Sequence, residues 1–133
     1  MTAYLLDTDW IVDALHGLER AVQTLIALAP QGLAISLITY AELYQGAYYA
    51  RDSAAALAGL KQFLTDKELL PVTPAIAEQF GIIRGGLSRP LQQQIGDMDL
   101  LIASTALVYD LTLVTRNLRD FQHVPNLKLY RPS

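Results

Sequence analysis

The stretch AYLLDTDWIVDALHG, residues 3–17, decides the fold of this 133-residue chain. Its apolar beginning predicts a buried strand over residues 3–7, and the apolar spacing then changes to that of a short helix with Gly17 past its end. Asp7 stands at the end of the strand, and Asp9 follows after a single threonine. Charge at the end of a core strand is costly unless it has a partner or a function. This point of the chain is therefore a candidate functional site.

Strands and helices alternate along the rest of the chain. Further strands are predicted at 33–37, 69–73, 111–115 and 127–130, and helices at 19–29, 38–50, 53–65, 74–89 and 97–110. The segments PLQQQIG (90–96) and RNLRDF (116–121) show no clear periodicity and are predicted to be loops. Pro71 indicates an edge strand or a strand end. The alternation predicts an α/β fold, with one domain over residues 1–133 and a mostly parallel central sheet flanked by helices.

Composition narrows the class of protein. The chain has no cysteine, so any metal must bind through oxygen or histidine ligands. A net charge of −3 is not that of a general nucleic-acid binder. The start of the chain has no signal-peptide pattern, and charges interrupt every long apolar run. We expect a soluble cytoplasmic protein that does not enter the membrane.

Acidic residues recur where the predicted strands end. In an open parallel sheet, functional groups gather outside the carboxyl ends of the strands. The polar residues that this rule selects are Asp7, Asp9, Glu42, Asp97, Asp99, Asn117 and Asp120. Taken singly, several have simpler explanations, since Asp97 suits a helix N-cap and Asp120 suits a turn.

Two of these acids are poorly explained by solvation. Glu42 shares a helical stripe with Ile38 and Thr39, and Asp99 shares one with Ile102 and neighbouring alanines, so both are expected to point toward packed protein. Carboxylates that approach one another at a partly buried site repel unless cations neutralise them. Oxygen ligands favour a hard cation, Mg²⁺ or Mn²⁺, which suits hydrolysis of a phosphodiester.

Four segments carry a resemblance to a known family. YLLDTDWIVDAL, ISLITYAELYQGA, DMDLLIASTAL and LTLVTRNLRDF resemble the motif blocks of PIN-domain ribonucleases, specifically VapC-type toxins of toxin–antitoxin pairs. The blocks occur in the family order and cover the chain from about residue 4 to 130. The resemblance implies a PIN-like fold and an Mg²⁺-dependent endoribonuclease, with Mn²⁺ as a possible substitute.

The resemblance also implies roles for individual residues. Asp7, Glu42 and Asp99 match the core acidic residues and would bind the metal, Thr8 matches a small hydroxyl residue beside the first of them, and Asp97 becomes an accessory acid. The fourth acidic position is either Asn117 or Asp120. We predict Asp120, because a hard cation prefers a charged ligand to a neutral amide oxygen.

Partners follow from the same resemblance and from two surface features. A small cognate antitoxin that also binds DNA is expected to place a segment over the active groove, with a basic side chain in the acidic pocket. Arg116 and Arg119 are candidates for contacts with RNA phosphates. The i+4 stripe of Tyr40, Tyr44 and Tyr48, with the alanine-rich segment after it, predicts a homodimer rather than base stacking.

Two other functions are open at this point. LLDTD also resembles the strand-end motif of haloacid-dehalogenase-like phosphohydrolases, but the chain is short for that fold and has no lysine at a convincing position. A non-catalytic module could instead use the acidic groove to hold a basic partner. A metal titration distinguishes an enzyme from such a module.

Overall fold

The structure of the chain, a computed structural model, describes residues 2–132 and has a five-stranded parallel sheet at its centre. The strands are β1 (Tyr4–Leu6), β2 (Leu33–Ser36), β3 (Glu68–Leu70), β4 (Thr112–Val114) and β5 (Lys128–Leu129). Their order across the sheet is β3-β2-β1-β4-β5, and Tyr4 pairs with Leu33 on one side and Thr112 on the other. The first strand of the sequence is therefore the central strand of the sheet.

Helices cover both faces of this sheet. They are α1 (Thr8–Leu15), α2 (Glu19–Leu28), α3 (Leu37–Tyr49), α4 (Ser53–Leu64), α5 (Pro74–Gly86), α6 (Arg89–Gln94), α7 (Asp97–Tyr109) and α8 (Leu118–Phe121). Consecutive strand residues point to opposite faces, so Leu5 packs with the helices α5 and α7 while Leu6 packs with α1 to α4. The predicted parallel α/β architecture is confirmed.

One predicted loop is a helix. The sequence of PLQQQIG predicts irregular structure, but residues Arg89–Gln94 form α6. Pro90 suits the first turn of a helix, and glutamine is a good helix former. A six-residue helix is too short to display periodicity, and only Leu91 of it packs against the core. The loop prediction is wrong because the shortness of the helix hides its pattern.

The second predicted loop also contains a short helix, and the remaining differences lie at element ends. RNLRDF contains the single turn α8, which the fully buried ring of Phe121 anchors. The helix expected over 74–89 ends at Gly86, and β3 stops before Pro71 at one edge of the sheet. Across residues 2–132, no helix has the length and apolar character that crossing a membrane would require.

Candidate active site

Asp7 lies at the carboxyl end of the central strand and begins α1. The residue is only 4% exposed. As the N-cap of α1, it accepts a hydrogen bond from the backbone N–H of Thr8 at Oδ1 (2.8 Å), while the hydroxyl of Thr115 donates to Oδ2 (2.6 Å). Burial raises the pKa of Asp7, and the hydrogen bonds from Thr115 and Thr8 only partly oppose this. The carboxylate is fixed in orientation, and each oxygen keeps a free lone pair.

Glu42 reaches the same place from α3. Ser36 ends β2 and caps α3 by accepting from the backbone N–H of Thr39, which starts the helix beside α1. The hydroxyl of Thr8 donates to Oε1 of Glu42 at 2.6 Å and lies 3.2 Å from the hydroxyl of Thr39. Thr8 thus joins the helices that carry Asp7 and Glu42.

Asp99 comes from the first turn of α7 and is half-buried. Burial is the main cause that raises the pKa of its carboxyl group to about 6, followed by the charges of Asp7, Glu42, Asp120 and Asp9 in that order. Asp99 is thus close enough to four other carboxylates to feel their charge. The acids predicted from three separate segments therefore lie near one another at the carboxyl ends of the central strands.

Asp120 and Asn117 contact each other. The Asn117 side-chain amide donates to Oδ2 of Asp120 at 3.1 Å, and the Gln94 amide donates to Oδ1 at 2.5 Å. The hydrogen bond from Gln94, then that from Asn117, lowers the pKa of Asp120 despite partial desolvation. Asn117 therefore orients the carboxylate of Asp120, and it is Asp120 whose charge acts on Asp99.

Asp97 and Arg116 stand apart from this cluster. Asp97 is 72% exposed and pairs with Arg84 at 2.6 Å. The guanidinium of Arg116 lies 3.6 Å from Asp9 and 3.3 Å from Asp13, so this arginine binds two acids of α1. Neither residue contacts Asp7, Glu42 or Asp99 through a hydrogen bond or ion pair in residues 2–132.

Three polar residues around these acids were not predicted: Thr115 and Gln94 bind them directly, and Thr39 contacts Thr8. Thr115 follows β4, the neighbour of β1, so the rule that selected Asp7 at a strand end also applies to it. Thr39 carried a weaker signal, as a polar residue one turn before Glu42. Gln94 carried none, because a glutamine in a segment without periodicity has no predicted direction.

The chemistry of this site suits a hard divalent cation. Asp7, Glu42 and Asp99 offer oxygen donors, and no basic side chain among residues 2–132 forms an ion pair with them. The described residues contain no set of three acidic or histidine side chains already arranged to hold a metal ion. The case for a cation is the charge: a half-buried carboxylate with a raised pKa among four others is stabilised by a positive partner.

The chain is similar in sequence to proteins of a known family over almost its whole length. The PIN domain family matches residues 4–127 of the chain. Ribonuclease VapC2 of Haemophilus influenzae is 31% identical over 128 residues, which are 96% of each chain. The tRNA(fMet)-specific endonuclease VapC of Salmonella typhimurium is 29% identical over 129 residues, which are 97% of each chain.

Solved structures show the same likeness over the whole length. The structure of VapBC2 from Rickettsia felis bound to a DNA fragment from its promoter is similar with a TM-score of 0.86 and 31% identity, covering 99% of this chain and 100% of that one. The DNA-bound VapBC from Salmonella typhimurium has a TM-score of 0.88 and 28% identity, covering 98% of each chain.

Proposed function

Since the chain belongs to the PIN-domain family, among the VapC ribonucleases, we propose that it is an Mg²⁺-dependent endoribonuclease and the toxin of a type II toxin–antitoxin pair. The observation that carries the proposal is the position of Asp99, half-buried and within electrostatic reach of Asp7, Glu42 and Asp120. The family assignment favours this function over a haloacid-dehalogenase-like phosphohydrolase, and the relatives named as ribonucleases favour it over a non-catalytic acidic groove.

We assign the metal to Asp7, Glu42 and Asp99, with Asp120 completing the acidic site. A bound Mg²⁺ or Mn²⁺ supplies activation of the attacking water and stabilisation of charge on the scissile phosphate. The chain's own contribution is orientation: Thr8 and Thr115 fix Asp7, Thr8 fixes Glu42, and the hydrogen bonds described above fix Asp120. Preoriented oxygens need little rearrangement when a cation binds.

The metal requirement is tested with the purified chain and total cellular RNA. We expect cleavage with Mg²⁺ or Mn²⁺ and none with excess EDTA, and activity should return when Mn²⁺ is added in excess of the chelator. Cleavage that persists in EDTA would contradict the assignment of the acids to a metal. Mapping the cleavage ends in the same reaction identifies the RNA that is cut, which depends on contacts outside the acidic cluster.

Asp120 is expected to tune the metal site. Asp120→Asn keeps the side-chain shape but removes a charge near Asp99, so we expect the half-saturating Mg²⁺ concentration to rise or the rate to fall by about tenfold or more, at unchanged Tm. Titration of activity against Mg²⁺ measures this. If Asp120→Asn keeps full activity at limiting Mg²⁺ while Asn117→Ala loses it, the site is completed from Asn117 instead.

We also propose a cognate antitoxin as the partner of this chain. The structural neighbours are complexes named VapBC, some of them with DNA. A mostly apolar cavity of about 410 Å³ opens between α1, α3 and α4, and Glu42 lies in its wall. Its apolar wall includes Val12, Leu15, Leu43, Ala47, Ala56 and Leu60, and Gly46 also lines it. An amphipathic segment fits such a groove, and a basic side chain on it would reach Glu42 and compete with the metal.

A homodimer is the second assembly that we propose. The rings of Tyr40 and Tyr44 are 4.9 Å apart and half-buried, whereas Tyr48 and Tyr49 at the end of α3 are 68% and 81% exposed. Exposed aromatic side chains next to one another favour protein contact. We expect a dimer by light scattering at micromolar concentration and a monomer for Tyr48→Glu. A monomeric wild-type chain would remove this part of the proposal. We also propose that the chain acts in the cytoplasm, where an enzyme that cleaves cellular RNA meets its substrate.

A further inference from the structure

Arg84 binds the segment that connects α6 to α7. This arginine lies in the last turn of α5, and its side chain is 23% exposed. Its Nη1 donates to the backbone carbonyl of Gln92 at 2.8 Å, and its Nη2 donates to the carbonyl of Ile95 at 3.0 Å and to Oδ1 of Asp97 at 2.6 Å. One guanidinium therefore fixes three points of residues 92–97.

The same segment also donates hydrogen bonds back to the end of α5. The side-chain amide of Gln92 donates to the backbone carbonyls of Arg84 at 3.2 Å and Leu87 at 2.9 Å. Ile95 is buried in the core beside this network. Residues 92–97 are thus held on the end of α5 by hydrogen bonds in both directions and by a buried side chain.

Two acids of the candidate active site depend on this segment. Gln94, in its middle, donates to Asp120. Helix α7 starts at its end, and its N-cap Gly96 provides no side-chain hydrogen bond to the first turn, which carries Asp99. Arg84 holds the start of α7 from another helix, through its hydrogen bonds to the Ile95 carbonyl and to Asp97.

We propose that Arg84 is a positioning residue for the acidic site, holding residues 92–97 so that Gln94 orients Asp120 and the first turn of α7 places Asp99. The proposal rests on the proposed function, since it gives the segment a purpose only if those acids bind a metal. It also changes the role of Asp97. The resemblance implies an accessory acid, whereas here Asp97 is the anionic partner of Arg84. An arginine is needed because its planar fork bonds carbonyls and a carboxylate at once, whereas lysine is a single flexible point charge.

The test compares Arg84→Lys with Arg89→Lys. Arg84 and Arg89 line one surface cavity, and among residues 2–132 the side chain of Arg89 forms no hydrogen bond or ion pair. Without metal, hydrogen exchange of Arg84→Lys should accelerate in residues 92–99 and be unchanged in the sheet. Binding of Mn²⁺ without RNA, followed by the signal of free Mn²⁺ in electron paramagnetic resonance, should weaken by about tenfold. In the assay, kcat at fixed Mn²⁺ should fall while KM for RNA stays the same. Arg89→Lys should match wild type throughout.

A variant of Asp97 provides a second test of the proposal. If Asp97 acts through Arg84, Asp97→Asn weakens Mn²⁺ binding, and the double variant with Arg84→Lys is no weaker than Arg84→Lys alone. Additive losses would instead make Asp97 an independent accessory acid and overturn its part of the proposal.

The outcomes separate this proposal from the proposed function. If wild type binds Mn²⁺ and Asp7→Asn does not, but Arg84→Lys binds as wild type does, Arg84 only stabilises the fold and the positioning role is wrong. A fall in Tm with faster exchange across the whole sheet would equally reduce Arg84 to a stabilising residue. If wild type binds no Mn²⁺, or Asp7→Asn binds it equally well, the proposed metal site is wrong and the positioning role fails with it.

Discussion

Asp7→Asn is expected to lower the rate of RNA cleavage by at least ~100-fold at saturating Mg²⁺, with a Tm close to that of the wild type. The substitution removes the negative charge at the centre of the acidic site and leaves the size of the side chain almost unchanged. Because Asp7 is the most buried of the acids, no solvent or neighbouring side chain takes its place. The loss should appear in the rate and in Mg²⁺ binding together.

The fold should survive this change for local reasons. Asparagine is as good an N-cap as aspartate, so its oxygen can keep the hydrogen bond from the Thr8 N–H at the start of α1. The hydroxyl of Thr115 already accepts from the Asn117 backbone N–H, and it keeps a second lone pair for the new amide. Burial raises the pKa of Asp7, so the charged form is the costly one, and a neutral side chain removes that cost.

Asp52→Asn is the matched control for this variant. Asp52 caps α4 by accepting from the backbone N–H of Ala55, and it is exposed and outside the acidic cluster. The same chemical change at this helix start should leave the rate of cleavage and the Tm at wild-type values. An Asp7→Asn protein that unfolds would indicate a structural role for Asp7, and one that retains its activity would remove Asp7 from the metal site.

The sequence predicts those acids of the site that stand at a recognisable point of a local apolar pattern. Asp7 is predictable because an apolar strand ends at it, and Glu42 and Asp99 because each interrupts an apolar helical stripe. These are local signals, and the parallel sheet then brings the three segments to one edge without any further information. The alternation of strands and helices likewise predicts the architecture from β1 to β5.

The residues that orient these acids could not be predicted in the same way. Gln94 contacts Asp120 across 26 positions of the sequence, and Arg84 contacts Asp97 across 13. Such pairs depend on how helices pack, which no local pattern contains. Asp97 shows the consequence: its position suggests a helix N-cap or an accessory acid, whereas Gly96 is the cap and Asp97 pairs with Arg84. The short helix α6 escapes prediction for a different reason, since its six residues span less than two turns.

Gly46→Leu is expected to separate toxicity from its control by the antitoxin. Cells that express the wild-type chain alone should stop growing, and the cognate antitoxin should restore growth. Gly46 lies on α3 one turn after Glu42 and lines the apolar groove, and a Cβ atom added there meets no atom within 4 Å. A leucine can therefore be built without a clash at its Cβ, and its side chain takes space that the antitoxin segment needs. Growth should remain arrested despite the antitoxin, and the affinity of the antitoxin for the purified toxin should fall at least tenfold.

The fold gives no reason for this variant to be unstable, because at an exposed helical position leucine is more favourable than glycine by almost 1 kcal/mol. The control is Gly81→Leu on α5, a helix that does not line the groove, where an added Cβ also meets no atom within 4 Å. The antitoxin should rescue cells that express Gly81→Leu as well as it rescues wild type. If it also rescues Gly46→Leu with unchanged affinity, the antitoxin binds elsewhere and the groove beside Glu42 is not its site. If Gly46→Leu is harmless even without antitoxin, the purified variant is assayed for RNA cleavage. Lost cleavage would mean that the leucine has disturbed Glu42, one helical turn away, and the variant would then say nothing against the groove as the antitoxin site.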